Sequence, residues 1–250
     1  CRDSGMDMIM CTLDMRDESC REQAKALLND KSSAVIMLGT EMVDGDIQLL
    51  REITTPFIVI DYWNGDMSFN AIKANNEDSV RYAIDYLIRK GHKQIGYLKG
   101  RFRIVPFKDR ETGYRTGMLK AGLPVEEKYT LEVGTTMDAA YADMKRYLEE
   151  KIKLPTAFMA DNDMIALGAM KAMAEYGVRI PEEVSVIGFD DLPFSAISSP
   201  PLTTLRVPKQ EIGRIATRRL IQMIKERQEA GVKIEVSTQF VERGSVKTIK

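Results

Sequence analysis

The chain of 250 residues has 44% hydrophobic side chains, enough to bury the core of one large α/β domain or of two lobes of ordinary size. Lys and Arg together number 36 against 37 Asp and Glu, so the chain lacks the basic surface that a DNA-binding module needs. Charge balance therefore excludes a fragment that grips DNA by itself.

Cys1, Cys11 and Cys20 have neither the spacing of a zinc site nor the even number of a disulfide framework. They are expected to be free thiols in a reducing compartment, which predicts a cytoplasmic protein. The sequence shows no charged-then-apolar leader and no run of about 18 apolar residues, so it indicates neither export nor a membrane span.

Short apolar runs recur along the chain and predict strands, because continuous apolar runs suit strands that are covered on both faces. The runs are Met6–Cys11, Ala34–Gly39, Pro56–Asp61, Gln94–Gly100, Thr156–Ala160 and Val184–Phe189. Amphipathic stretches lie between them. This alternation predicts parallel, doubly wound sheets with helices on both faces.

Three amphipathic stretches predict helices. The first carries Val80, Ala83, Ile84, Leu87 and Ile88 on one face and ends at Gly91. The second begins at Asn162 or Asp163 and stops at Gly177. The third begins near Pro208 and carries Ile212, Ile215, Ala216, Met223 and Ile224 on one stripe. No low-complexity linker divides the chain, so two lobes would be joined by several short crossings.

Polar residues directly follow several predicted strands, at the carboxyl ends where doubly wound sheets bind ligands. They are Asp61, then Asp161, Asn162 and Asp163, then Asp190 and Asp191, while the segment after Gly100 leads to Arg110. Carboxylates accept hydroxyl hydrogen bonds, an amide offers a donor and an acceptor, and a guanidinium supplies a rigid fork of donors. The set therefore predicts a site for a polyhydroxylated ligand.

Aromatic residues lie close to these polar residues. Tyr62 and Trp63 follow Asp61, and Phe107 lies one helical turn before Arg110. Aromatic faces pack on the C–H side of a sugar ring or on a base, so Trp63 and Phe107 are added to the candidate ligand contacts.

Each candidate also has a structural explanation. Asp190 and Asp191 suit helix caps or turns, and Asn162 suits a helix N-cap. Arg110 suits a surface salt bridge, and Trp63 suits the core. Asp61 has no such simple alternative, because it ends an apolar strand with no obvious helix after it.

The only histidine, His92, falls at a helix-to-strand turn and is interpreted as structural or exposed. The sequence contains no phosphate-binding loop, dinucleotide fingerprint, nucleophile elbow or zinc-protease motif. Catalytic residues, metal ligands and cofactors are therefore not predicted, and an enzyme has no positive support.

Two segments resemble the lactose-repressor/galactose-repressor family of bacterial transcription regulators. Residues 155–216 read PTAFMADNDMIALGAMKAMAEYGVRIPEEVSVIGFDDLPFSAISSPPLTTLRVPKQEIGRIA. Residues 76–100 read NEDSVRYAIDYLIRKGHKQIGYLKG, and residues 109–118 read DRETGYRTGM. The resemblance covers essentially the whole chain, with the motifs in the order that the family has them.

The resemblance implies a type I periplasmic-binding-protein-like α/β fold, with two doubly wound lobes crossed three times by the chain and a ligand cleft between them. Residues 1–73 with 206–233 would form the first lobe, and residues 74–205 with 234–250 the second. Residue by residue, the family's ligand contacts fall on Arg110, Asn162, Asp190 and Asp61. An aromatic residue that several relatives place in the loop 134–138 is replaced by Thr136, so stacking is expected from Tyr62, Trp63, Phe102 or Phe107.

The resemblance implies the effector-binding and dimerising core of a regulator, with a small-molecule effector, expected to be a carbohydrate, and no membrane partner. Family members carry a strand, most of a helix and a helix-turn-helix domain before the point that matches Cys1, so operator DNA would be bound by a domain outside this chain. The homodimer is expected to use the helix at Gln210–Arg227 and the outer strands of the second lobe. The main alternative is the sugar-binding protein of a transporter, and a nucleotide- or sugar-processing enzyme is a third possibility.

Overall fold

A computed structural model describes residues 8–11, 22, 26, 34–42, 47–63, 65, 68–226 and 230–249. The chain folds into two compact units. Unit 1 comprises Cys1–Lys73 and Lys209–Val236, and unit 2 comprises Ala74–Pro208 and Ser237–Lys250.

The described secondary structure alternates between strands and helices. In chain order it consists of β1 (Val35–Leu38), α1 (Ile47–Glu52), β2 (Phe57–Ile60), β3 (Asn70–Ala74), α2 (Asn76–Arg89), β4 (Ile95–Gly100), α3 (Val105–Lys120), β5 (Thr130–Val133), α4 (Met137–Glu149), β6 (Ala157–Ala160), α5 (Asp163–Glu175), β7 (Ser185–Asp190), α6 (Pro193–Ile197), β8 (Thr203–Arg206), α7 (Lys209–Lys225), β9 (Lys233–Val236) and β10 (Gln239–Val241).

The described strands of unit 1 form a sheet in the order β1-β2-β3-β9, in which β1, β2 and β3 are parallel neighbours. The helix α7 packs on β1 and β2 and buries Ile212, Ala216 and Leu220. Its predicted apolar stripe is wrong at Ile224, which is 44% exposed, because the buried face ends at Leu220.

The predicted strand Met6–Cys11 is not formed by residues 8–11, which lie outside regular secondary structure. Met8, Ile9 and Met10 are 77%, 88% and 86% exposed. An apolar run becomes a buried strand only where neighbouring strands take its backbone hydrogen bonds and another layer covers its side chains. Met6, Asp7, Cys1 and Cys20 lie outside the described residues, and Cys11 is an exposed free thiol.

The strands of unit 2 form a six-stranded sheet in the order β10-β8-β7-β6-β4-β5. All described neighbours pair in parallel except β10, which runs antiparallel to β8. Successive residues of β4 point to opposite faces: Tyr97 packs with α2 and α3, and Leu98 packs with α4 and α5. Unit 2 is therefore doubly wound, as predicted.

The predicted signals at the ends of two helices are confirmed. Gly91 and Gly177 adopt φ values of +94° and +78°, a conformation that glycine allows without steric cost, and they follow α2 and α5. The N-cap of α5 is Asn162, whose side chain accepts a hydrogen bond from the backbone N–H of Ile165.

The chain reverses its direction of travel across the sheet at β4, because β5 lies on one side of it and β6 on the other. In open α/β sheets the carboxyl ends of the strands at such a switch point are the usual place for a ligand. The segments that follow β4, β6 and β7 contain Arg103, Asp161 and Asp191, close to the predicted contacts.

Candidate ligand-binding site

Arg110 lies on α3 and is only 6% exposed, so its interpretation as a surface salt-bridge partner is wrong. Its Nε donates to Oδ1 of Asn76 at 2.9 Å, and Nη1 donates to the backbone oxygen of Asp161. Its guanidinium carbon lies over the ring of Phe189, 3.7 Å from the ring centre. These contacts fix the plane and the direction of the guanidinium.

Asp190, at the end of β7, faces the remaining edge of this guanidinium. Its Oδ1 lies 3.7 Å from Nη2 of Arg110, and its side chain is 25% exposed against 8% for Arg110. A φ of +114° at Asp190 and +51° at Asp191 turns the chain sharply here, a conformation that non-glycine residues seldom adopt. Asp190 therefore ends the strand with its carboxylate beside a buried cation.

Phe107 lies on the same helix as Arg110, and its ring centre is 5.5 Å from the guanidinium carbon. The side chain is 4% exposed. The structure thus brings Phe107, Arg110 and Asp190 together at the carboxyl ends of the unit 2 strands.

Asn162 adjoins this cluster, since the backbone oxygen of Asp161 is a partner of Arg110. The Oδ1 atom of Asn162 caps α5 by accepting from Ile165 N at 2.9 Å. Capping occupies the side-chain oxygen and leaves the amide NH2 as a donor for a ligand. Both interpretations of Asn162 are therefore compatible in one side chain.

Asp161 is a structural carboxylate rather than a ligand contact. It is fully buried and accepts hydrogen bonds from the hydroxyl of Tyr97, from Gly100 N at 2.6 Å and from Nη1 of Arg103 at 2.8 Å. Burial raises its pKa to about 6, while Arg103 and the hydrogen bonds act in the opposite direction. Asp161 ties β4, β6 and the start of α3 together.

Asp163 has a similar role on the other side of Asn162. Its carboxylate accepts from Leu192 N at 2.8 Å, from Oγ of Ser195 at 2.6 Å and from Oγ1 of Thr204 at 2.6 Å. Burial raises its pKa to about 6 against these hydrogen bonds, and the charge of Asp190 raises it further. The side chain holds the segment that follows Asp190 against the start of α5.

In unit 1, Asp61 directly follows β2 and adopts a φ of +65°. Trp63 is partly buried, and Nζ of Lys73 lies 4.1 Å from its ring centre. Tyr62 between them is fully buried, so it belongs to the core of unit 1 and offers no face for stacking.

The other residues singled out from the sequence have structural roles or lie exposed. Thr136 caps α4 through a hydrogen bond from Ala139 N, and Phe102 is 54% exposed. His92 is fully buried, with ring nitrogens 3.0 Å from Oγ1 of Thr156 and 3.1 Å from the backbone oxygen of Lys247. The structural interpretation of His92 is confirmed.

Two residues of the site escape prediction from the sequence: Asn76, which orients Arg110, and Phe189, which covers it. The sequence assigns Phe189 only to an apolar strand. A sequence signal for Asn76 does exist, because Asn75 and Asn76 are consecutive before the predicted helix and only one of them can be its N-cap.

Within the described residues, no group of three or more His, Cys, Asp or Glu side chains could hold a metal ion. The same part of the chain contains no helix long and apolar enough to cross a membrane.

Comparison with known proteins identifies the family. The model of a periplasmic binding protein-like domain matches residues 84–246. The HTH-type transcriptional repressor PurR of Pasteurella multocida is 30% identical over 249 residues, which cover 99% of this chain and 74% of that protein. A regulatory protein of the LacI family from Chloroflexus aggregans is 30% identical with a TM-score of 0.74, over 84% of this chain and 75% of that one. The chain belongs to the LacI/GalR family.

The transcriptional regulator CelR, solved as a complex with cellobiose, is a further structural relative of this LacI/GalR chain. It is 26% identical with a TM-score of 0.82, over 92% of this chain and 71% of that one. The predicted type I periplasmic-binding-protein-like fold is confirmed, and the chain is an effector-binding domain of its family.

Proposed function

We propose that the chain is the effector-sensing core of a transcription regulator and that its effector is a neutral sugar. The observation that carries the proposal is the buried Arg110, held by Asn76 and Phe189, with Asp190 opposite its free edge. The predicted contacts Phe107 and Asn162 belong to the same proposed site.

The distance between Arg110 and Asp190 favours a ligand that carries hydroxyl groups. At 3.7 Å the two side chains are farther apart than a direct hydrogen bond of about 3 Å. A hydroxyl group both donates and accepts, so one hydroxyl can donate to the carboxylate while it accepts from the guanidinium. Adjacent hydroxyls of a sugar offer several such bridges.

The paired charges also favour a neutral ligand. A sugar phosphate or a sugar acid that approached Arg110 would meet the carboxylate of Asp190 at the same place, and like charges at close range repel. The ring of Phe107 is 4% exposed and lies 5.5 Å from the guanidinium carbon, so it contributes to the apolar wall behind Arg110. The structure of CelR with cellobiose shows that a family member of this fold takes a neutral sugar.

We also propose Asp61 and Trp63 of unit 1 as ligand contacts. Support comes from the strand-end position of Asp61 with its turned backbone, and from the partly buried aromatic ring of Trp63. An effector shifts a conformational equilibrium only through its differential affinity for the two states. Such a shift would change how the DNA-binding domains of the regulator bind their operator.

A regulator is favoured over the alternatives because the matched relatives are transcriptional repressors and regulators. The main alternative, the sugar-binding protein of a transporter, shares this fold. The two relatives named above, however, are a transcriptional repressor and a regulatory protein. The relatives likewise give no support to an enzyme.

The proposed homodimer is supported by an apolar surface on unit 2. Met137, Leu167, Phe194 and Ile197 line a shallow groove between α4, α5 and α6. Phe194 and Ile197 are 59% and 79% exposed, and contiguous exposed apolar surface is typical of protein interfaces. The outer strands of unit 2 stay a predicted part of the interface, and we propose this groove as a further contribution beside that of α7 from unit 1.

A thermal-shift screen tests the effector class. Cellobiose, glucose and ribose would be compared with glucose 6-phosphate, ribose 5-phosphate, adenine and hypoxanthine on the purified chain. A ligand that binds only the folded state raises the unfolding midpoint, by an amount that grows with its concentration. A neutral sugar is expected to give the largest shift, and selective stabilisation by a phosphate or a nucleobase would overturn the sugar assignment.

Calorimetry with the selected ligand tests the site. Asp190→Asn keeps the size of the side chain but removes its charge and is expected to weaken binding at least tenfold, because one oxygen acceptor becomes a donor. The matched control is Glu183→Gln, which removes an exposed carboxylate paired with Arg179 elsewhere in unit 2. Equal affinities for the two variants would remove the site assignment.

A further inference from the structure

The residues next to the proposed ligand contacts are tied to the segments that connect the two units. The chain passes between the units after Lys73, after Pro208 and after Val236. Near each of these points, a residue is connected by hydrogen bonds to Asn76, which contacts Arg110, or to Asp191, which follows Asp190.

The first link runs through Asn76. Its side chain is 1% exposed, its Oδ1 accepts from Nε of Arg110 at 2.9 Å, and its Nδ2 donates to the backbone oxygen of Ala74 at 3.1 Å. Ala74 is the first residue of unit 2 after the crossing that follows Lys73. One amide thus joins the guanidinium to the beginning of the unit.

The second link runs through Asp191, the neighbour of Asp190. Its carboxylate accepts from Nε of Arg206 at 2.6 Å and from Nη2 of Arg243 at 2.6 Å. Arg206 ends β8 just before the crossing at Pro208, and its Nη1 donates to the side chain of Gln239 at 3.2 Å. Gln239 begins β10 just after the crossing at Val236.

The backbone reinforces the second link. Asp190 is in register with Arg206 on β8, and Arg206 is in register with Gln239 on β10. The side chain of Asp191 is 9% exposed, and hydrogen bonds from its two arginines lower its pKa although burial acts in the opposite direction. The positive φ at both Asp190 and Asp191 is a strained conformation that the surrounding contacts must hold in place.

We propose that Asn76 and Asp191 are positioning residues that couple Arg110 and Asp190 to the three connecting segments. Neither needs to touch the ligand. A ligand that forms new hydrogen bonds with Asp190 or Arg110 displaces these side chains and therefore alters the contacts of Asp191 and Asn76. Through those contacts it changes the conformation that the connecting segments prefer. This inference rests on the proposed function, because it assigns ligand contact to Arg110 and Asp190.

Linkage makes the inference testable without a ligand, because coupling between two positions acts in both directions. Backbone amide hydrogen exchange would be measured on the chain as it is, at residues 72–76, 204–209 and 237–241. Asp191→Asn is expected to raise exchange at least threefold at 204–209 and 237–241. A purely local structural role of Asp191 predicts that result too.

The decisive variants are therefore substitutions at the ligand contacts. Asp190→Asn, which alters neither Arg206 nor Arg243, is expected to raise exchange at least threefold at 204–209 and 237–241. Arg110→Lys removes the Nε donor and is expected to raise exchange at 72–76. Asp191→Glu, which retains the charge, should restore most of the protection lost in Asp191→Asn.

The matched control is Glu183→Gln, which breaks an exposed ion pair with Arg179 elsewhere in unit 2 and should leave all three segments unchanged. The coupling through Asp191 would be overturned if Asp190→Asn left exchange at 204–209 and 237–241 within twofold of the wild type. The coupling through Asn76 would be overturned if Arg110→Lys left exchange at 72–76 within the same limit. If Asp190→Asn lowers the unfolding midpoint of the whole chain, protection at residues 130–133 of β5 separates global from local opening. Failure of every sugar in the thermal-shift screen would remove the proposed function and leave this exchange result standing.

Discussion

Arg110 shows how the partners of a side chain decide its role. A surface arginine contributes little through an exposed salt bridge, because solvent screens the charges and the side chain loses freedom. Arg110 is instead buried, stacked on Phe189 and held at two of its nitrogens. Its orientation is fixed before any ligand arrives, which lowers the entropic cost of binding.

Arg110→Lys is therefore expected to weaken binding of the selected sugar by tenfold to a hundredfold, about 1.4 to 3 kcal/mol. The lysine keeps the charge but lacks the planar fork that reaches Asn76, Asp161 and the ligand together. Isothermal titration calorimetry measures the change. Arg115→Lys, at a half-exposed arginine paired with Glu127, is the control that should bind normally. An unchanged affinity for Arg110→Lys would contradict the role of the fork.

The buried carboxyl of Asp163 predicts an unusual pH dependence of stability. Its folded-state pKa is about 6, above the usual value near 3.8, so the folded chain binds the proton more tightly than the unfolded chain. Its contribution is fully present below pH 3.8 and is lost as pH rises through 6. Buried His92 acts oppositely, because burial lowers its pKa and acidification therefore favours the unfolded state.

Comparison with Asp163→Asn isolates the effect. The asparagine can accept from Leu192 and Ser195 and donate to the hydroxyl of Thr204, so the contacts are kept while the titration is removed. The free energy of unfolding of the wild type relative to the variant should increase on acidification between about pH 6 and 4, by roughly 1.4 kcal/mol per unit. Urea titrations at about pH 7, 5.5 and 4.5 measure this difference. A constant difference across that range would refute the raised pKa.

At the scale of elements, strong periodic signals predicted about half of the described strands and helices. Continuous apolar runs identified β1, β2, β4, β6 and β7, and glycines marked the ends of α2 and α5. β3 escaped prediction because Asn70 and Lys73 make its short sequence polar. Both are nevertheless buried, since Asn70 accepts from Arg219 and Lys73 pairs with Glu235. These partners lie far away in sequence, so local composition could not reveal them.

In the candidate site, too, local sequence gives the position of a residue but not its partners. Strand-end position selected Asp190 and Asn162 as candidates, because parallel strands bring their carboxyl ends to one edge. Strand-end position could not distinguish these two candidates from Asp161 and Asp163. The carboxylates of Asp161 and Asp163 accept hydrogen bonds from within the protein. Whether a polar residue faces a ligand or the core depends on its three-dimensional partners.

The contact between α2 and α3 supports a prediction for an element. A Cβ atom added at Gly113 would collide with the backbone oxygen of Glu77, which immediately follows Asn76. Gly113→Ala should therefore force the helices apart and lower the stability by about 1 to 3 kcal/mol, despite the higher helix propensity of alanine. It should also weaken ligand binding, because Asn76 and Arg110 move apart. Denaturant unfolding and calorimetry measure the two effects.

Gly213→Ala in α7 is the matched control, because a Cβ atom added there would meet nothing within 4 Å apart from the backbone of its own helix. Alanine at this position should stabilise the chain by about 0.5 to 1 kcal/mol through helix propensity alone. Similar effects of the two substitutions would show that close packing does not govern Gly113.

At the scale of the whole molecule, the groove on unit 2 exposes apolar side chains to water, which is unfavourable unless another surface covers them. Ile197 is 79% exposed, and with Phe194 it forms an edge of the groove. Exposure of a single apolar residue is ordinary, but a contiguous apolar surface usually has a partner. In the proposed function that partner is a second copy of the chain.

Ile197→Asp is expected to weaken self-association at least tenfold, because a carboxylate buried in an apolar interface loses its hydration without gaining a partner. Leu119→Asp is a matched control, since Leu119 on α3 is 77% exposed but does not line the groove. Sedimentation velocity over a concentration series would show a shift toward monomer for Ile197→Asp alone. Equal association in both variants would place the dimer contact elsewhere, whereas a shift in both would indicate that association follows general surface hydrophobicity.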